Sequence, residues 1–251
     1  MAAILFANLL LAHIISDFLI QTNKCVVEKR KYGVKGAALY FHSLTVAMLS
    51  YAFSADFRFW YCAIFIFVSH AVVDYVKTLF RRSLLTFVLD QIVHVLIIYF
   101  IARYYLAHCG DWTQFQWITS GFELYVPALA CAILFCTSPA NYLIRETLAE
   151  FKIDTRNSKK RSGQSANYRS KLKNAGALIG TMERLLILLF VLIGNYEAAG
   201  LTVAAKSILR FKDDEGPRTE FVLVGTLLSF LIAVCTAVVV LALVFDFKNL
   251  K

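Results

Sequence analysis

Apolar stretches of about bilayer-crossing length alternate with short polar breaks along the whole chain. They fall near 2–22, 36–53, 58–77, 83–107, 122–146, 176–194 and 219–246. A shorter apolar piece at 198–211 precedes the last stretch and reads as a half-helix or a tilted span. The pattern predicts an all-α fold: a polytopic membrane helical bundle of seven or eight transmembrane helices. Residues 1–110 are expected to form a four-helix half and residues 111–251 a second membrane half, the latter carrying a basic loop at 152–174.

Composition agrees with this pattern. Apolar residues make up 59% and charged residues 17%, and the mean hydropathy is +0.63, which excludes an ordinary soluble domain. The net charge of +9 is accounted for by Lys and Arg gathered in cytoplasmic loops, so nucleic acid is not an expected partner. The six cysteines show no CxxC spacing, which indicates neither a disulfide framework nor a zinc ribbon. No Walker loop, GxSxG elbow, HExxH or dinucleotide fingerprint occurs, and this argues against nucleotide-driven pumping. The opening stretch lacks a basic leader and a small-residue cleavage site, so the first span is expected to be retained.

Orientation follows from the basic residues. With eight crossings and an outside N-terminus, all of the 26 Lys and Arg except Arg58, Arg103, Arg184, Lys248 and Lys251 fall in inner segments. This bias predicts both termini outside and the 152–174 loop in the cytoplasm.

Seven ionisable side chains interrupt the first four apolar stretches: His13, Asp17, His42, His70, Asp74, Asp90 and His94. Such groups are expensive in hydrocarbon unless paired, metal-bound or facing water, so they mark a functional site. Six of them form pairs four residues apart, His13/Asp17, His70/Asp74 and Asp90/His94, and this spacing sets both members on one helical face. In the orientation above, Asp17, His42, Asp74 and Asp90 lie within roughly 5–11 Å of the cytoplasmic boundary at 1.5 Å rise per residue. His13, His70 and His94 sit one turn deeper. Four antiparallel helices thus bring their polar groups to one level.

Imidazole and carboxylate together suit a divalent transition metal, zinc, iron or manganese, and helices of a bundle can hold one or two such ions. All seven residues are therefore candidate ligands. Asp17 and Asp90 are also candidate general bases for a metal-activated water. Gln21 and Lys77 could meet a substrate at the mouth of the site. A second polar set, Glu183, Arg184, Lys206 and Arg210, could bind an anionic head or pair internally, with Glu183 and Lys206 or Arg210 the economical pairing. His108, in an outer segment, is expected to be solvated. Two other readings use the same belt residues: His–Asp hydrogen bonds tying helices together without metal, and a proton relay in a transporter or channel.

The segments Leu-Leu-Leu-Ala-His13-Ile-Ile-Ser-Asp17-Phe-Leu-Ile-Gln21, His70-x-x-x-Asp74, Asp90-Gln-x-x-His94 and Gly180-Thr-Met-Glu183-Arg184 together resemble a family of bacterial polytopic inner-membrane proteins catalogued as a domain of unknown function. More distantly, the His/Asp half resembles the membrane-bound metal-dependent hydrolases of bacterial inner membranes. The resemblance implies a multi-pass protein of the bacterial inner membrane and a metal-dependent hydrolase acting on a lipid or another amphipathic, anionic small molecule. An ion-coupled transporter and a non-catalytic membrane effector are the alternatives.

The topology is testable: reporter fusions at Lys251 and within the 152–174 loop should report opposite sides of the membrane, and a cytoplasmic C-terminus rejects the eight-crossing arrangement.

Overall fold

Buried positions recur every three or four residues in the four longest helices of the first half, and that spacing decides which faces meet. The structure is a computed structural model that describes residues 2–109, 124–151, 166–211 and 217–249, all regular elements among these being helical. The elements are α1 (Ala2–Ile14), α2 (Asn23–Tyr32), α3 (Ala37–Ser54), α4 (Trp60–Leu79), α5 (Leu84–Cys109), α6 (Tyr125–Phe135), α7 (Ser138–Glu150), α8 (Ala166–Leu192), α9 (Tyr196–Phe211) and α10 (Pro217–Asn249). Four helical stretches are long and apolar enough to cross a membrane: Ala2–Ile20, Phe57–Leu79, Leu84–Cys109 and Leu223–Leu243. Two bent pairs, α2 with α3 and α6 with α7, raise the number to six if each is one span. The expected crossings at 176–194 and 198–211 correspond to α8 and α9, which this measure of length and hydropathy leaves out among the described residues. The stretch expected as a basic loop at 152–174 is helical from Ala166 onward, in keeping with its Lys, Arg and Leu content and lack of Pro. Its first part lies outside the described residues.

The chain separates into two units, Met1–Cys131 and Ala132–Lys251, where the sequence pattern suggested a division near 110. In the first unit, α1 packs on α3 and α5, and α4 packs on α3 and α5, closing a ring of four helices. The buried stripe of α3 is Leu39, His42, Ser43, Val46, Ala47, Ser50 and Ser54; its small residues let helix backbones approach closely. The buried stripe of α4 is Cys62, Ala63, Ile66, His70 and Asp74. On the opposite faces, Phe41, Leu44 and Met48 of α3, Phe65, Val68 and Val72 of α4 and Leu89, Leu96 and Phe100 of α5 are exposed. A bundle that keeps its ionisable groups inside and turns large apolar side chains outward is what a bilayer selects.

The turn joining α2 to α3 shapes the site. Thr22 caps α2 by accepting from the Cys25 N–H (3.3 Å). Gly33 ends it with φ +53°, the left-handed backbone that favours glycine. The segment Asn23–Lys35 then meets Ala37–Ser54 at 108°, so α2 runs across the end of the bundle. At Gly36 a Cβ would lie 2.9 Å from the Tyr32 Cβ, a clash with little freedom to relax. Gly36→Ala should lower stability by about 1–3 kcal/mol, as overpacking does. The check is thermal unfolding in detergent, with Gly176→Ala, which meets nothing within 4 Å, as the control.

Candidate metal centre

The buried stripes of α1, α4 and α5 change from apolar to polar at one end of the ring, where α3 adds His42. On α5 the stripe runs Tyr105, Ala102, Ile101, Ile98, His94, Asp90, and on α4 it ends in His70 and Asp74. At its C-terminal end α1 widens into a π-helical turn, Ile15–Ile20, which carries Asp17; such turns concentrate at functional sites. There the Ser16 hydroxyl donates to the His13 carbonyl (2.9 Å).

All seven belt residues meet. His42 Nε2 and His70 Nε2 are 3.0 Å apart. Asp17 Oδ1 lies 3.3 Å from His42 Nε2, 3.7 Å from His70 Nε2 and 3.6 Å from His13 Nδ1. Asp74 Oδ2 lies 3.7 Å from both His42 Nε2 and His70 Nε2. His94 Nε2 is 3.5 Å from Asp90 Oδ1 and 4.0 Å from Asp74 Oδ1, and its ring stacks on His70 with centroids 4.1 Å apart. Three sets could each hold an ion, with ligand atoms within 4.8 Å of one another: His13/Asp17/His70, His42/His70/Asp74 and Asp74/Asp90/His94.

Two observations bear on whether metal fits. For bonds of about 2.0–2.2 Å to nitrogen and oxygen, tetrahedral geometry separates ligand atoms by roughly 3.3–3.6 Å. The five distances among Asp17, His42, His70 and Asp74 just given, 3.0–3.7 Å, bracket that range. Second, His13 Nδ1 and Nε2, Asp17 Oδ1, Asp90 Oδ1 and His94 Nε2 are buried without a hydrogen bond, although each carboxylate oxygen has an imidazole nearby. Atoms that face one another outside hydrogen-bond geometry are arranged as donors around a common centre are, and leaving them unmet is costly.

Two lysines frame the cluster. Lys29 of α2, 5% exposed, forms an ion pair with Asp74 Oδ2. Lys77 pairs with Asp90 Oδ2 at 2.5 Å while its side chain remains 30% exposed. Gln91 Nε2 also donates to Asp90 Oδ2 (3.0 Å). Lys77 was legible as a mouth residue. Lys29 was not, because within the basic run Lys29-Arg30-Lys31 it counts only as a topology signal, and nothing in the sequence says that α2 turns back. Gln21 ends the π-turn, its backbone N–H donating to the Ser16 carbonyl (2.9 Å); its side chain makes no hydrogen bond to the cluster.

The remaining candidates lie elsewhere. Glu183 pairs with Lys206 in the second unit. Arg184, 1% exposed, donates to the Cys136 carbonyl (2.7 Å), Ser229 Oγ (3.1 Å), Asn141 Oδ1 (2.7 Å) and Thr181 Oγ1 (3.1 Å). Cys136 lies at the 40° break between α6 and α7, so Arg184 takes up a carbonyl at a helix break. The Arg210 side chain lies outside the described residues. His108 is exposed at the end of α5, where its Nδ1 donates to the Tyr104 carbonyl (2.9 Å).

Neither a curated protein nor a solved structure matches the chain. Residues 5–120, which span the whole His/Asp belt, match a family described as a protein of unknown function (DUF3307).

Proposed function

We propose that this chain is an integral membrane hydrolase that uses one or two divalent transition-metal ions to cleave a lipid or another amphipathic ester, on the cytoplasmic side of a bacterial inner membrane. The observation that carries the reading is the set of buried, unbonded nitrogen and oxygen atoms on His13, Asp17, Asp90 and His94, within a cluster of seven His and Asp side chains drawn from α1 with its π-turn, α3, α4 and α5. His13, Asp17, His42, His70, Asp74, Asp90 and His94 would hold the metal. When bound, it would supply Lewis acidity and a water acidic enough to act near neutral pH.

The chain's own residues divide the remaining work. Asp17, facing three imidazoles, has the surroundings of a ligand. Asp90 touches Lys77, which is open to water, and a base must pass its proton onward. Asp90 is therefore the better general base. Lys77, and Gln21 at the end of the π-turn, would meet the polar part of the substrate. One observation favours a second reading, an ion- or proton-coupled carrier: Lys29–Asp74 and Lys77–Asp90 already neutralise two carboxylates, as relay pairs in transporters do.

Metal analysis of detergent-purified protein separates the two. Stoichiometric zinc, iron or manganese is expected in the wild type. His70→Ala, which removes a member of two ligand sets, should lose most of it, and His108→Ala none. Asp90→Asn should keep the metal held by His42, His70 and Asp74 while ester turnover falls about 10²–10⁴-fold. A metal-free wild type that moves solute or protons in proteoliposomes overturns the hydrolase in favour of the carrier.

A further inference from the structure

Asp74 faces two ways. Its Oδ2 lies 3.7 Å from His42 Nε2 and from His70 Nε2, whereas its Oδ1 points to His94, 4.0 Å away, and His94 in turn lies 3.5 Å from Asp90 Oδ1. Two ligand sets, His42/His70/Asp74 and Asp74/Asp90/His94, share this one carboxylate. A carboxylate oxygen has room for two partners, so the Lys29 contact on Oδ2 leaves a lone pair for metal. The second set has its own unmet atoms, His94 Nε2 and Asp90 Oδ1, both on buried side chains.

We propose that the cluster is a two-ion site bridged by Asp74, and that the group it takes is the terminal phosphate of an amphipathic phosphate ester. The proposal rests on the hydrolase reading and names its substrate class. Charge carries the second half of it. With two divalent ions, the positive charges of the ions, Lys29 and Lys77 exceed those of Asp17, Asp74 and Asp90 by three. A surplus of that size in a buried site requires an anion. A carboxylic ester brings no charge, and a terminal phosphate brings close to two negative charges. Paired ions are also suited to in-line displacement at phosphorus. The route in is Lys77, the most exposed charged member of the cluster, set beside the Phe87 ring with its Nζ 5.8 Å from the centroid. Phe87 packs edge-on against Phe18 (6.3 Å), so an apolar surface adjoins a cation, as an amphipathic phosphate needs.

The step is hydrolysis. A water oxygen bonds to phosphorus as the bond from phosphorus to the alcohol oxygen breaks. One water proton passes to the Asp90 carboxylate at Oδ1, the oxygen that no hydrogen bond occupies; the departing alkoxide takes a proton from Lys77, and the carboxylate then returns one to Lys77, with which it is paired.

The experiment uses the full chain in detergent, loaded with zinc or manganese. Bound ions are counted, inorganic phosphate is titrated calorimetrically, and three substrates are offered: vesicles containing phosphatidic acid, p-nitrophenyl phosphate and p-nitrophenyl butyrate. The expected result is two ions per chain, phosphate binding that requires both, and phosphate release from the vesicles without butyrate cleavage. His94→Gln should bind one ion. Lys77→Gln should keep two ions yet bind phosphate at least tenfold more weakly, and its partly exposed position makes it the safer variant for folding. A single ion whose binding His94→Gln does not change overturns the bridged site and leaves the hydrolase reading standing. Two ions with butyrate cleavage and no phosphate binding overturn the phosphate class alone. Release from p-nitrophenyl phosphate but not from vesicles overturns the amphipathic source. Metal-free protein defeats the underlying hydrolase reading itself.

Discussion

Burying the Asp74 carboxylate among helices that face hydrocarbon is the constraint around which the first unit is organised. Charge transferred from water into such surroundings costs several kcal/mol unless it is met. Here it is met from three directions: His70 from the same helix, His42 from α3 and Lys29 from α2. The last contact requires α2 to fold back across the bundle end, hence the left-handed Gly33 and the close approach at Gly36. Removing one member of a buried pair typically costs about 3–5 kcal/mol, because the other is left uncompensated. The tight turn and the buried ion pair therefore support each other.

The second unit handles a buried cation differently. Arg184 is surrounded by neutral acceptors, a backbone carbonyl, two hydroxyls and an amide oxygen, and each of its three guanidinium nitrogens donates within the fold. Around it lies an apolar core of small and branched residues including Ala132, Ile187, Val191, Ala233 and Ala237. The same chain thus contains one polar site closed on itself and another that leaves five nitrogen and oxygen atoms unmet.

Much of this architecture was legible along the chain. A spacing of four names the His/Asp partners within α1, α4 and α5, and the distance of each from the end of its apolar stretch puts them, with His42, at one level. The apolar spacing of α4 and α5 runs directly into those pairs, so the face was readable too. Three things were hidden. Lys29 is chemically indistinguishable in the sequence from its basic neighbours, and only the 108° bend aims it inward. Arg184 reads equally well as a substrate clamp or a fastening, since its acceptors come from residues more than forty positions away, apart from Thr181. The helical start at Ala166 was obscured by the density of Lys, Arg and Asn there, which suits a solvated loop as well as a helix.

The widened turn at Ile15–Ile20 has a bearing on how such a centre arises. A π-turn is an α-helix that has accommodated one additional residue, and one residue corresponds to a rotation of about 100° and a rise of 1.5 Å. Excising one residue between Phe18 and Ile20 would restore the regular helix and leave His13 and Asp17 four residues apart, but it would swing Gln21 and Thr22, which lead into α2, by about 100° against them. The direction in which the chain leaves α1, and with it the approach of Lys29 to Asp74, therefore depends on one residue. An insertion of that size, rather than a succession of substitutions, is the shortest path by which a plain span could acquire such a turn.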